Sequence, residues 1–430
     1  MTNSLHQSAS HAVRRRGLRG VAALALVSVL ALSGCASTTT ATTDASSSTA
    51  SSSTTTSGSV SSFTSTSDSV DATTTAQSIA DTTAAAEAFL ATLSDEQREA
   101  VLHDYDDETR TTSWSNFPVT FVERAGVNLT DLTGEQQAAA MEVLEALLSD
   151  EAYATVTGIM NGDVYLAENS SSTETSLGQY YIAFFGDPSD TSAYEVQFGG
   201  HHLGINATLD GASDAITFAP THLGVQPAVY ADVDGNEVQP FDGIYTDAFA
   251  FFDSLTAEQQ ATLTSGDVTM CAPGDTCDFT AGDGLTGADL TDEQKDLLLD
   301  LVANWAGMAD EQTTDTTLAE IEATLDDTVI AWSGETTYDM STGDGISFSI
   351  SGPNVYVGFQ AQEGSAGADV DGVTTSGWGH VHTIYRDPTN DYAGSVTQQA
   401  ASGMGGGPAA GGTPPGGAAP SEAAAPSSNG

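Results

Sequence analysis

Two hydrophobic periods alternate along this chain. Four segments open alike: LSDEQREAVL from Leu93, LTGEQQAAAMEVLEALL from Leu132, LTAEQQATL from Leu255 and LTDEQKDLLLDLV from Leu290. Each places Ser or Thr at a helix N-cap and Gln at the third helical position. An acid falls in the first turn, so each is a capping box that also suits the helix dipole. Apolar residues then recur at helical spacing, as at Met141, Leu144, Leu147 and Leu148. Elsewhere the period shortens. QYYIAFFG, AYEVQFGGHHLGINATL, AITFAPTHL, AVYADV, TVIAWSG, ISFSIS, NVYVGFQAQ and HVHTIYR are rich in β-branched and aromatic residues and bounded by Gly, Pro, Asn and Asp. No regular βαβ alternation links them. The pattern predicts an α+β fold, with paired helices packed on mainly antiparallel β-sheet. Two capped helices precede the strands around FGGHHLGIN and two more precede those ending in WGHVHTIYRD, which reads as two pseudo-repeated halves.

The chain ends follow neither period. Arg14, Arg15, Arg16 and Arg19 precede the apolar run VAALALVSVLAL, which is short for a membrane span and closes on Leu32-Ser33-Gly34-Cys35. This layout predicts a bacterial lipoprotein signal peptide over residues 1–34, with Cys35 lipidated and holding the protein to the cell membrane on its extracytoplasmic face. Residues 35–80 are almost pure Ser, Thr and Ala and cannot bury enough apolar surface to fold, so they read as a tether. About 45 such residues reach roughly 35–40 Å on average. A Gly/Pro/Ala tail occupies 396–430. Between them, 81–395 is long enough for one large α+β domain.

Charge narrows the function classes. The sequence holds 9 basic and 59 acidic residues, and four of the basic ones precede Cys35. The remainder has 5 against 59, a formal charge of −54. Nucleic acid is excluded as a partner, because it would be repelled. Salt adaptation and a general solubility habit both fit such acidity, and either way self-repulsion predicts stability that rises with salt. Cys271 and Cys277 flank a Pro-Gly turn, a spacing that suits a disulfide closing a short loop and not a Cys-x-x-Cys redox or zinc site.

Beyond Cys35 there are six histidines: His103, His201, His202, His222, His380 and His382. On a strand, His380 and His382 point the same way, so GHVHTIYRDP offers two imidazoles to one face. Adjacent His201 and His202 would face opposite sides of a regular strand, unless Gly199, Gly200 and Gly204 permit a bulge. Together the four form a candidate site for one divalent transition metal, Zn, Cu, Mn or Fe. A metal-free polar pocket is the competing reading. Arg386 and Asp387 are candidate ligand-binding residues, Arg386 for an anionic group and Asp387 to orient a ligating histidine, although internal pairing of Arg386 competes. His-x-His followed by Asp387 also opens a cupin-type motif, but the second histidine motif that a cupin needs downstream is missing. ADVDGNEV lacks the glycine and final carboxylate of a calcium loop and reads as a hairpin turn. No nucleophile elbow, phosphate loop, dinucleotide fingerprint or His-Glu-x-x-His helix occurs.

Six segments, ETRTTSWSNFP, ERAGVNLTDL, YYIAFFGDPS, FGGHHLGIN, ITFAPTHLGVQPA and GHVHTIYRDPTNDYAG, resemble in order the bacterial and fungal family catalogued as domain of unknown function 3500. They span residues 106–394. The resemblance implies one fold across that region and a functional pocket at His201, His202, His380, His382, Arg386 and Asp387, and ranks His222 lower. It carries no activity. The leading expectation is a lipid-anchored protein whose histidine pocket binds a metal ion or small polar ligand. The alternatives are a metal-dependent hydrolase and a structural envelope protein without a small-molecule site.

Overall fold

The computed structural model describes residues 73–264, 268–270 and 283–396. The expected signal peptide, Cys35, most of the tether, nearly all of the tail, and Cys271 and Cys277 lie outside the described residues. The chain passes through α1 (Thr75–Thr92), α2 (Asp95–Val101), β1 (Leu102–His103), β2 (Val127–Asn128), α3 (Gly134–Leu147) and α4 (Asp150–Asn169). It continues through β3 (Tyr181–Phe185), β4 (Ala193–Gly199), β5 (Leu203–Asp210), β6 (Ala215–Thr217), β7 (Thr221–Val225), β8 (Tyr230–Ala231) and β9 (Glu237–Val238). A second run of helices and strands follows: α5 (Asp242–Ser254), α6 (Ala257–Gln260), β10 (Leu285–Thr286), α7 (Asp292–Ala306), α8 (Glu311–Glu322), β11 (Val329–Gly334), β12 (Ile346–Ser351), β13 (Tyr356–Gln362) and β14 (Gly377–Arg386).

All four predicted capping boxes form, at Ser94, Thr133, Thr256 and Thr291. Their glutamines do more than cap. Gln136 Nε2 donates to Thr92 O and Gln97 Oε1, and Gln294 Nε2 donates in the same manner to Ser254 O and Gln259 Oε1. Each pair of helix starts is thereby locked together. The helix α1 reaches back into the Ser/Thr run assigned to the tether. Its Thr75, Ser78, Ile79, Thr82 and Thr83 are buried, so short polar side chains here line a packed helix face that composition alone disguises.

Twelve strands form one sheet in the order β1-β3-β4-β5-β7-β14-β13-β12-β11-β10, with β2 beside β3 and β6 beside β5. Among the described residues only β1 and β3 pair in parallel, so the fold is α+β with a mainly antiparallel sheet. Registers place Gln197 opposite Asn206, Gly204 opposite His222, Gly224 opposite His382, and His382 opposite Gln360. Because side chains alternate across a strand, these residues share one polar face. Val196, Phe198, Ile205, Leu223, Val381 and Phe359 take the other face and join the buried apolar core. Helices cover that side: Trp305 of α7 donates Nε1–H to Thr383, while Phe249 and Phe252 of α5 pack on Trp332 of β11. The histidine site is built on the polar face, where α4 reaches it through Asp163.

Candidate metal centre

The central strands β7 and β14 carry three of the histidines. On β14, His380 and His382 face the same way, as alternation requires, and both are buried. Across from His382 sits Gly224 on β7. A Cβ there would stand 2.9 Å from Val381 O and 3.3 Å from Cδ2 of both His202 and His382. The missing side chain makes room for the rings.

His201 and His202 do not lie on a regular strand. The long segment read as one strand is two, β4 and β5, and the histidines occupy the turn between them. Gly200 N–H donates to Leu203 O at 2.8 Å and Gly224 N–H to His202 O at 2.7 Å. A Cβ on Gly199 would lie 2.4 Å from Leu203 O, and one on Gly200 would lie 2.6 Å from Gln179 O, so both positions require glycine. The turn frees the imidazoles from strand alternation, and they stack with centroids 4.1 Å apart. Arg124 secures the turn by donating to Gly200 O, Ser115 O and Phe117 O.

Hydrogen bonds orient most of the rings. Asp163 of α4 lies 2.5 Å through Oδ1 from His202 Nδ1, and its Oδ2 accepts from Tyr180 Oη at 2.7 Å. His380 Nδ1 meets Glu363 O at 2.6 Å and its Nε2 lies 3.2 Å from His382 Nε2. Asn116 Nδ2 approaches His382 Nδ1 at 3.4 Å. His222 Nδ1 donates to Thr383 O at 2.7 Å, with Nε2 3.3 Å from His201 O, which makes it a strut between backbones. Two buried ring nitrogens of the cluster, His201 Nδ1 and His202 Nε2, have no partner among the described residues.

Burial sets the charge states. It pushes His201, His202 and His382 well below the ordinary imidazole range, with neighbouring histidines adding to the effect. Burial also lowers His380, and takes His222 down to about 4. Near neutral pH the rings are uncharged and keep a lone pair for a metal. Asp163 is pushed up to about 6 by burial, against the pull of nearby histidines and Tyr180, so near pH 7 it is mostly ionised. Its hydrogen-bond partners are His202 and Tyr180. A buried carboxylate behind neutral imidazoles makes a pocket suited to a cation.

One ring nitrogen from each of His201, His202 and His382 lies within 4.8 Å of the other two. An ion about 2.0–2.1 Å from each nitrogen needs separations of about 3.3 Å for tetrahedral ligands. The His380–His382 pair already stands at 3.2 Å. Imidazole donors suit Zn, Cu and Fe. His201, His202, His380 and His382 are thus brought together, and one nitrogen each from His201, His202 and His382 could hold an ion.

Arg386 and Asp387 take other partners. Arg386 Nε binds Asp391 at 2.7 Å, both buried. Asp387 Oδ1 accepts from Thr389 N, Asn390 N and Thr389 Oγ1, closing the turn after β14. The carboxylate bonded to a cluster histidine is Asp163. His103 lies apart, stacked on Phe185 with centroids 5.0 Å away. Sequence reasoning missed Asp163 and Asn116 and underweighted His222. A signal for Asp163 was present: Ala152, Val156, Ile159 and Leu166 form the buried stripe of α4, and Asp163 falls on it. An acid on an apolar stripe needs a buried partner. Asn116 has no comparable periodic signal.

Residues 75–394 match the family described as Protein of unknown function (DUF3500). The match covers most of the chain, and the protein belongs to this family. Neither a curated protein nor a solved structure matches it.

Proposed function

We propose that this DUF3500 protein is anchored by lipid at Cys35 to the extracytoplasmic face of the cell membrane and holds one divalent transition metal ion between His201, His202, His380 and His382. The observation that carries the metal reading is the pair of unpartnered buried nitrogens, His201 Nδ1 and His202 Nε2, backed by Asp163. Orphaned polar atoms in a dry site are expensive, and a metal ion satisfies them. The Asp163–His202 bond is the arrangement that fixes a ligand's tautomer and raises its basicity. The anchor rests on Arg14 to Arg19, the apolar run and Leu32-Ser33-Gly34-Cys35. An oxidising location also suits a Cys271–Cys277 bridge. Matching bonds at Gln136 and Gln294 support reading the two runs of helices and strands as diverged copies, with the ion at their seam.

A second reading, metal-dependent hydrolysis, is favoured by a cavity of about 430 Å³ lined by Tyr165, Tyr230, Met340, Trp378 and Gly379. Of β14 the cavity touches Trp378 and Gly379, next in sequence to His380, and no cluster histidine is among its lining residues. An ion with an open coordination position would activate water there.

The test is metal content of the intact protein, purified without chelators or a polyhistidine tag, beside His380→Ala/His382→Ala. About one equivalent of a transition metal, lost in the double variant, supports the reading. An empty wild type that also ignores added Zn, Cu, Mn and Fe leaves a hydrogen-bonded pocket or a structural protein. Membrane fractionation of Cys35→Ser tests the anchor, and a variant still bound to membrane would refute it.

A further inference from the structure

The contacts around His382 fix where its hydrogen sits. A carbonyl oxygen only accepts, so the 2.6 Å contact with Glu363 O places the hydrogen of His380 on Nδ1. The neutral His380 ring then has a bare Nε2, 3.2 Å from His382 Nε2. With no ion between them two bare nitrogens at that distance would repel, so in the metal-free protein His382 carries its hydrogen on Nε2 and donates it to His380. His382 Nδ1 is consequently bare, and Asn116 meets it with its amide NH2. Every ring nitrogen of this pair is matched. The free acceptor that this state leaves unused is Asn116 Oδ1, buried and without a partner.

This tautomer cannot ligate a metal through His382 Nε2, where a hydrogen occupies the lone pair. His202 has no such conflict. Its Nδ1 is committed to Asp163 and its Nε2 is free. His380 is likewise ready, with Nδ1–H on Glu363 O. Of the three, His382 alone is held in the wrong form, and Asn116 holds it there.

We propose that Asn116 is a tautomer switch: metal entry moves the His382 hydrogen from Nε2 to Nδ1, and the Asn116 amide turns end for end so that Oδ1 accepts it. The inference rests on the metal reading above. The hydrogen leaves one nitrogen and arrives at the other nitrogen of the same ring, so the switch itself releases no proton. The metal bond replaces the His382–His380 hydrogen bond. His202, His380 and His382 then each present Nε2 beside His201 Nδ1, with their own Nδ1–H held by Asp163, Glu363 O and Asn116 Oδ1. The surroundings confine the movement to the side chain. Arg124 clamps Ser115 O and Phe117 O, on either side of Asn116, to Gly200 O in the histidine turn. Asn116 is a positioning residue and touches no ion.

The test follows the histidine tautomers directly, by long-range proton–nitrogen NMR of the intact protein with labelled histidine, before and after one equivalent of Zn(II). His382 is expected as Nε2–H without zinc and as Nδ1–H with it. Asn116→Asp, which can only accept when ionised, is expected to hold Nδ1–H without zinc and to bind zinc about 10-fold more tightly. Asn116→Leu, which can do neither, is expected to weaken binding by about 10–100-fold. Zinc uptake with an unchanged His382 tautomer, or both variants binding like wild type, overturns the switch and leaves the metal reading standing. A wild type that takes up no zinc or other transition metal overturns both.

Discussion

Asp163 Oδ1 stands 2.5 Å from His202 Nδ1, though one comes from a helix and the other from a hairpin turn 39 residues later. Nothing local imposes this contact. It exists because α4 packs against β5 and β7, and it brings the cluster a hydrogen-bonded carboxylate. Asp163→Asn keeps the shape and removes the charge. Metal affinity should fall by about 10–100-fold, read by competition with a chelating dye. Unchanged affinity would reduce Asp163 to a structural partner of Tyr180.

Burial keeps the imidazoles neutral, so metal has few protons to displace. Their folded values lie below the ordinary 6.5, and His222 is near 4. Proton competition therefore starts only at acid pH, where Asp163 also begins to protonate near 6. Calorimetry at pH 7 in buffers of different ionisation enthalpy should find well under one proton released per ion, with affinity steady down to about pH 6.5. Release of one proton or more per ring would mean that the rings are charged before binding.

Gly224 is the floor beneath two rings. In Gly224→Ala the new methyl must displace Val381 O or the rings of His202 and His382. Overpacking of this kind costs about 1–3 kcal/mol. Denaturant titration should show that loss, and the midpoint gained on adding metal should shrink as well. A stability loss with full metal response would place the strain on the backbone alone.

Away from the cluster, Glu195 is buried beside Arg110, whose Nε lies 3.5 Å away. Burial pushes Glu195 up to about 8 against the pull of Arg110. Its folded value exceeds its unfolded 4.5, so its stability contribution is intact below 4.5 and is lost as pH rises toward 8. Relative to Glu195→Gln, which stays neutral, wild type should weaken across that window. Parallel stability curves for the two proteins from pH 5 to 8 would show that the carboxylate is ionised throughout.

The net charge gives a simpler expectation. With 5 basic against 59 acidic groups beyond Cys35, the melting temperature should climb from low to molar NaCl as repulsion is screened. A flat profile would count against it.

Local patterns made much of this fold readable. Ser94, Thr133, Thr256 and Thr291 announce their helices through neighbours three residues away, and the pairing of His380 with His382 follows from alternation within one strand. What depends on distant packing stayed hidden. The stacking of His201 on His202 needs the chain to reverse at Gly200, a reversal that an unbroken β-prone segment conceals. Asn116 reaches His382 across 266 residues, through an irregular loop held by Arg124. Asp163 lay between the two: its place on the apolar stripe of α4 was visible, but its partner was not.

The pairing of β7 with β14 has a consequence for how a molecule is made. A chain leaving the ribosome presents Asp163, His201 and His202 long before His380 and His382 exist. Until β14 docks, β7 is an open edge, and His201, His202 and His222 lack the rings of His380 and His382. On the proposed metal reading, the full ligand set is therefore an end-of-synthesis mark. A product truncated before residue 380 lacks two of the four proposed ligands and the strand that joins β7 to β13, so on the metal reading occupancy would separate finished molecules from fragments.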